Sequence, residues 1–134
     1  MSGDAEIETF LAEGPWAVVG ASVDRAKYGN KILRCYLQHG KEPVYPVNPR
    51  EPEVEGLTAY RSLADLPETP HGISIITPPA VTEAVVEEAI AAGIGHVWMQ
   101  PGAESEAAIE RAQEAGLGLI AGGPCLLVVL GYRE

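Results

Sequence analysis

The sequence has only two cysteines, Cys35 and Cys125, too few to frame a fold by disulfides. Its three histidines, His39, His71 and His96, are scattered, and no Cys or His spacing suits a metal. No apolar run approaches the roughly 20 residues that a bilayer-crossing helix needs. No signal segment precedes the first element, so a cytoplasmic chain without a membrane partner is expected. Linkers, internal repeats and low-complexity segments are missing as well. Bases are scarce, nine against nineteen acids, for a formal net charge of −10. That balance argues against nucleic acid and anionic lipid, which are bound by extended cationic faces. Nothing assembles a nucleophile, a base and oxyanion donors, and Ser74 lacks the nucleophile-elbow pattern, so no catalytic residue is assigned. The glutamates of 83–88 and 104–114 fall on the polar sides of amphipathic helices and read as solvated surface.

What is present is an ordinary globular composition, 46% hydrophobic and 21% charged, over 134 residues. That length suits one domain, 1–134, able to bury roughly 68–70% of its unfolded surface. The few bases are unevenly placed. Arg25, Lys27, Lys31, Arg34, Lys41 and Arg50 cluster within 25–50, where residues 20–50 hold only two acids, Asp24 and Glu42. Six bases against two acids make this stretch locally +4, directly after the apolar run Trp16–Val19 and Gly20. A small anionic ligand needs only such a local field.

Element order follows from periodicity and punctuation. Ile7, Phe10 and Leu11 recur at helical spacing, predicting a short helix over 5–13 that Gly14-Pro15 stops. Strands are predicted at 16–19, 43–47, 72–76, 95–99 and 117–120, each a short apolar run of the kind covered on both faces. Asn30 is expected to cap a helix over 31–39, with Gly40 as its stop. A Pro/Glu-rich turn leads to an extended piece at 57–60, and Ser62 with Asp65 resembles the cap of one helical turn. A helix from the prolines after Thr77 to Ala92 presents Val81, Val85, Ala89, Val86 and Ile90 as one apolar stripe. Another helix spans 105–115, and 126–134 is an apolar tail. Strands alternating with helices through short loops predict an α/β fold: Rossmann-like, doubly wound, a mainly parallel sheet of five to six strands with helices on both faces.

The first loop departs from the dinucleotide fingerprint. After Gly20 come Ala21-Ser22-Val23-Asp24-Arg25, and the next glycine is Gly29. The second strand ends in Asn48-Pro49-Arg50 instead of a carboxylate that would take a ribose 2′-hydroxyl. A cation there suits a phosphorylated ribose, either the 2′-phosphate of NADP or the 3′-phosphate of coenzyme A. Structural readings stand beside these. Gly20 also serves as a turn glycine, Ser22 and Asn30 as turn and cap residues, and Arg25, Lys27 and Lys31 as a solvated face.

Val19-Gly20-Ala21-Ser22, Lys27-Tyr28-Gly29-Asn30 and Val44-Tyr45-Pro46-Val47-Asn48-Pro49-Arg50, in this order, resemble the coenzyme A-binding domain family. That family includes the amino-terminal domain of the succinyl-CoA synthetase α subunit and of ADP-forming acyl-CoA synthetases. The similarity continues through Ile75-Ile76-Thr77-Pro78-Pro79, Val97-Trp98-Met99-Gln100-Pro101-Gly102 and Gly123-Pro124-Cys125, and is strongest to stand-alone single-domain members. The resemblance implies that Gly20 and Ser22 face a diphosphate at the first helix's amino end. It implies that Asn48, Pro49 and Arg50 border the adenosine, with Arg50 nearest the 3′-phosphate. Thr77, Pro78 and Pro79 would flank the diphosphate or pantetheine arm, with Gln100 on the same edge. Ala21, Arg25, Lys27, Tyr28, Gly29, Asn30 and Val47 complete the implied cofactor-binding set.

The synthetases also use a phosphorylated histidine from a second domain, which this chain is expected to lack. The expectation is therefore a protein that binds coenzyme A or acyl-CoA without autonomous catalysis. The alternatives are an NADP-dependent, oxidoreductase-like nucleotide binder and an interaction module that has lost its ligand. A protein partner or homodimer is left open.

Overall fold

The computed structural model describes residues 2–134, with side chains described from residue 4. Five parallel strands form the main sheet: β1 (Trp16–Val19), β2 (Val44–Val47), β5 (Gly72–Ile75), β6 (His96–Met99) and β7 (Gly118–Ile120). Their spatial order is β2-β1-β5-β6-β7, and a separate two-stranded hairpin is made by β3 (Glu53–Val54) and β4 (Leu57–Thr58). This is the expected Rossmann-like, doubly wound α/β architecture, with five strands.

Each sheet face carries its own core because side chains alternate along a strand. Ala17, Val19, Ile73, Ile75, Val97 and Met99 pack under α3 (Pro79–Ala92) and α4 (Glu106–Glu114), against Val85, Val86, Ala89, Ala108 and Ala112. Trp16, Val18, Val44, Trp98 and Ile120 face the other way. They meet Phe10 of α1 (Ser2–Ala12), Ile32, Leu33 and Tyr36 of α2 (Tyr28–Gln38), and Leu126 of α5 (Leu126–Leu130). Phe10 stands edge-on to Trp98 at 5.3 Å between centroids, and its carbonyl accepts from Trp16 Nε1 at 2.9 Å. Those contacts dock α1 as the amino-terminal helix.

Four expectations change. The helix predicted over 31–39 begins at Tyr28, so Asn30 lies in its first turn and is no cap; the N-cap is Lys27, without a side-chain bond. His39 does end it, as the C-cap. Val81 is 47% exposed and leaves the predicted stripe. Thr82 is buried instead, because its hydroxyl meets Thr77 Oγ1 at 2.7 Å and has backbone acceptors at Thr77 and Pro78. The Pro/Glu-rich turn is the β3–β4 hairpin, and the tail from 126 opens with α5, packed on α2.

Candidate functional site

Register builds the site. Val19 pairs with Val47 on one side and Ile75 on the other, so Gly20, Asn48 and Ile76 leave the sheet side by side. Between β1 and β5 the chain order reverses, the topological switch point at which doubly wound folds place ligands. A cleft of about 620 Å³ opens there, lined by Gly20, Ala21, Ser22, Lys27, Tyr28, Gly29, Asn48, Pro49, Arg50, Ile76 and Pro78. Another depression, of about 490 Å³ and beside the end of α3, includes Glu68 and Glu88 in its lining and no base. An anionic ligand favours the first.

Two glycines make the cleft's base. Gly20 has φ of +100°, and a Cβ there would sit 2.2 Å from the Ile76 carbonyl oxygen. A Cβ on Gly29 would sit 2.0 Å from the Gly20 oxygen. Strand end and helix start thus touch through backbone alone, which the fold needs whether or not a ligand approaches. The contact brings the amino end of α2 to the cleft. Its first amides have no intrahelical acceptor and, with the helix dipole, favour an anion.

Of the residues expected at the site, ten line this cleft together: Gly20, Ala21, Ser22, Lys27, Tyr28, Gly29, Asn48, Pro49, Arg50 and Pro78. Several of them are also committed to the framework. Asn48 Nδ2 donates to the Ala21 carbonyl at 2.9 Å, while its Oδ1 accepts from the amides of Arg50 (2.7 Å) and Glu51 (2.9 Å). Ser22 Oγ accepts from the Asp24 amide at 3.1 Å. Such side-chain-to-backbone bonds shape the two loops.

The other six lie off the wall. Val47 is buried in β2 and its carbonyl accepts from the Gly20 amide. Thr77 bonds Thr82, and Pro79 is the exposed first residue of α3. Arg25 pairs with Glu55 at 3.4 Å. Asn30 is fully buried; its Nδ2 donates to the Ser22 carbonyl at 2.8 Å and to Glu55 Oε2 at 3.0 Å. Gln100 is also fully buried. Its Oε1 accepts from the Leu126 amide at 2.9 Å and from Tyr28 Oη at 3.4 Å, and its Nε2 donates to Ser74 Oγ at 3.5 Å.

That network extends into the core. Ser74 Oγ shares a 2.7 Å bond with Tyr36 Oη, and Tyr28 Oη shares one of 2.7 Å with Cys125 Sγ. Desolvation, then the bond to Cys125, pushes the Tyr28 phenol above its ordinary range, so it stays protonated at neutral pH. Burial pushes the Cys35 thiol up to about 11, with the neighbouring Cys125 adding to it. Cys125 is half-buried against a cleft residue.

The basic cluster divides sharply. Lys31 pairs with Glu134 at 3.2 Å, and Arg34 donates to Asn30 Oδ1 at 2.6 Å and to the Arg25 carbonyl at 2.8 Å. Lys41 donates to the Leu11 carbonyl at 3.3 Å and lies over the Trp16 ring. Among the described residues, Lys27 and Arg50 form no ion pair, and both line the cleft. Sequence reasoning missed Ile76, although it ends the apolar run of the third main strand. It also missed Glu55, whose reach across to Asn30 depends on a tertiary contact. No group of three His, Cys, Asp or Glu among the described residues could hold a metal ion. No helix among them is long and apolar enough to cross a membrane.

A five-stranded doubly wound sheet with a cationic cleft at its switch point is the arrangement in which such folds place phosphate-bearing small molecules. The model of the CoA binding domain matches residues 15–131, and the chain belongs to that family. Over 72 residues it is 36% identical to the α subunit of an ADP-forming acetate–CoA ligase II from Pyrococcus furiosus. That match covers 53% of this chain and 16% of the subunit, so the chain spans a small part of that relative. A conserved hypothetical protein from the same organism, of solved structure, is 44% identical with a TM-score of 0.80, over 85% of this chain and 97% of its own. A hypothetical protein from Pyrococcus horikoshii is 32% identical with a TM-score of 0.88, over 96% and 89%. The family supports coenzyme A, and not NADP, as the phosphorylated-ribose ligand.

Proposed function

We propose that this protein binds coenzyme A, or its acyl thioester, in the switch-point cleft without catalysing a reaction by itself. One observation carries the reading: the amino end of α2 and two cations without an ion pair among the described residues, Lys27 and Arg50, converge on one cleft in a chain of the CoA-binding family. The free amides of α2 and Lys27 would hold the diphosphate, and Arg50 the 3′-phosphate. Asn48 and Pro49 would border the adenosine. Gln100 and Asn30 act through the framework, since both are fully buried and bonded within the protein. The described histidines support the non-catalytic reading: His39 bonds the Gly131 carbonyl, His71 the Thr9 carbonyl, and His96 stacks on His71. Calorimetric titration with CoA, dephospho-CoA and NADP tests the proposal. CoA should bind most tightly, and an absence of CoA binding at millimolar concentration would sink it.

A further inference from the structure

Glu55, at the tip of the β3–β4 hairpin, is not part of the cleft wall, yet it reaches the loop that builds it. Its carboxylate accepts from Asn30 Nδ2 at 3.0 Å and faces Arg25 Nε at 3.4 Å. Asn30 also donates to the Ser22 carbonyl and accepts from Arg34 Nε, while Arg34 Nη2 donates to the Arg25 carbonyl. A closed ring results, running from Glu55 through Asn30 and Arg34 to Arg25 and back. It ties the loop at Ser22 and at Arg25. The Asn30 side chain is fully buried, so its bonds are shielded from water and from competing ions, unlike the exposed Arg25 contact. Glu55 has φ of +50°, which residues other than glycine adopt rarely.

From this network we infer that Glu55 is a positioning residue for the cleft. It sets the 22–25 loop before a ligand arrives and withdraws Arg25 from the ligand-facing cations, leaving charge recognition to Lys27 and Arg50. The inference deepens the CoA reading and rests on it for the identity of the ligand. Two effects oppose one another in sign. A carboxylate beside an anion site repels the ligand, but Arg25 at 3.4 Å cancels most of that field. A loosened loop must be ordered again on binding, and that cost has no such compensation. Removing Glu55 therefore weakens binding.

The test combines Arg25→Ala, Glu55→Ala, the double variant and Glu55→Gln, read by titration with CoA and by amide hydrogen exchange of the free protein. Glu55→Ala should lower CoA affinity by roughly 3- to 10-fold through lost preorganisation, and Arg25→Ala by less, since the Glu55–Asn30 bond survives it. The double variant should be no worse than Glu55→Ala, because the bond to Asn30 is already lost there. Glu55→Ala should speed exchange across 22–28, and Glu55→Gln should restore most of the protection, since its amide oxygen still accepts from Asn30. Tighter binding by Glu55→Ala with weaker binding by Arg25→Ala would overturn the inference, making Arg25 the ligand's cation and Glu55 its competitor. Unchanged exchange in Glu55→Ala would also overturn it. If the wild-type chain binds no CoA, the ligand reading falls, while the exchange comparison still decides the brace. Should Glu55→Ala not fold, Glu55→Asp, one methylene shorter, takes its place with the same two readings.

Discussion

Tyr28 Oη stands 2.7 Å from Cys125 Sγ, joining the first turn of α2 to the residue that precedes α5. Ninety-seven residues separate the two in sequence. The bond places a cleft-lining phenol at the head of a buried polar chain that runs through Gln100 and Ser74 to Tyr36.

Because desolvation and the thiol both hold its proton, Tyr28 should not ionise in the ordinary phenol range near pH 10. Spectrophotometric titration should thus show the same phenolate amplitude around pH 10 for Tyr28→Phe as for the wild type. A smaller amplitude in the variant would show that Tyr28 titrates normally.

Arg50 is exposed on the cleft rim and forms no ion pair among the described residues. If it reads the 3′-phosphate, CoA should bind about 10-fold more tightly than dephospho-CoA, a difference of about 1.4 kcal/mol. Arg50→Ala should erase that difference and leave dephospho-CoA affinity nearly unchanged. Equal wild-type affinities for the two ligands would remove Arg50 from this role.

Gly20→Ala and Gly29→Ala each drive a methyl group into backbone oxygen, at 2.2 Å and 2.0 Å. Neither obstacle is a flexible side chain, so the strand end must move. Each variant should lose about 3 kcal/mol or more in urea unfolding, measured without ligand. A variant of normal stability that had lost only CoA affinity would show that the glycine serves the ligand and not the fold.

Gln100→Leu leaves the Leu126 amide without its acceptor inside the core. The expected cost is about 1–3 kcal/mol of unfolding free energy, the usual penalty for a buried group left unpaired. CoA affinity, measured where the variant is still folded, should change less than 3-fold. A large loss of affinity at normal stability would place Gln100 on the ligand.

His96 has a buried Nδ1 with no hydrogen-bond partner among the described residues, and its ring lies 4.4 Å from that of His71. Desolvation first, and then His71, lowers its pKa below the ordinary histidine value, while Glu6 and Glu13 act in the opposite direction. The unfolded chain therefore takes up this proton at a higher pH than the folded one. Stability should fall as the pH drops through about 6.5 and continue falling until His96 protonates in the folded state. Urea midpoints compared at pH 7.5 and 5.5 should show this, and His96→Gln should reduce the dependence. A midpoint that rises on acidification would contradict the assignment.

Short apolar runs, each closed by glycine, proline or asparagine, were enough to order the main strands and helices, because burial on both faces forces such runs. The clustering of six cations after Val19 located the cleft for a related reason: in a parallel sheet, the loops following strands gather at one edge. Ser105 and Asn30 show the local limit of this reading: the Ser105 hydroxyl accepts from the Ala108 amide as a cap, whereas Asn30 lies inside the first turn of α2. Both residue types favour helix starts, and local pattern does not reveal the packing of Gly29 on Gly20 in the first turn of α2, which begins at Tyr28.

Local pattern thus determined the order of elements, the parallel sheet and the neighbourhood of the cleft. It could not apportion the cations, because a charge's partner depends on what distant segment arrives beside it. Arg25 met Glu55 of the hairpin, Lys31 met Glu134, and Lys27 and Arg50 were left facing the cleft. Periodicity reports which face of an element is buried, while ion pairs and buried amide networks form between segments tens of residues apart. Tertiary packing alone decided which residues of the basic cluster remain free for a ligand.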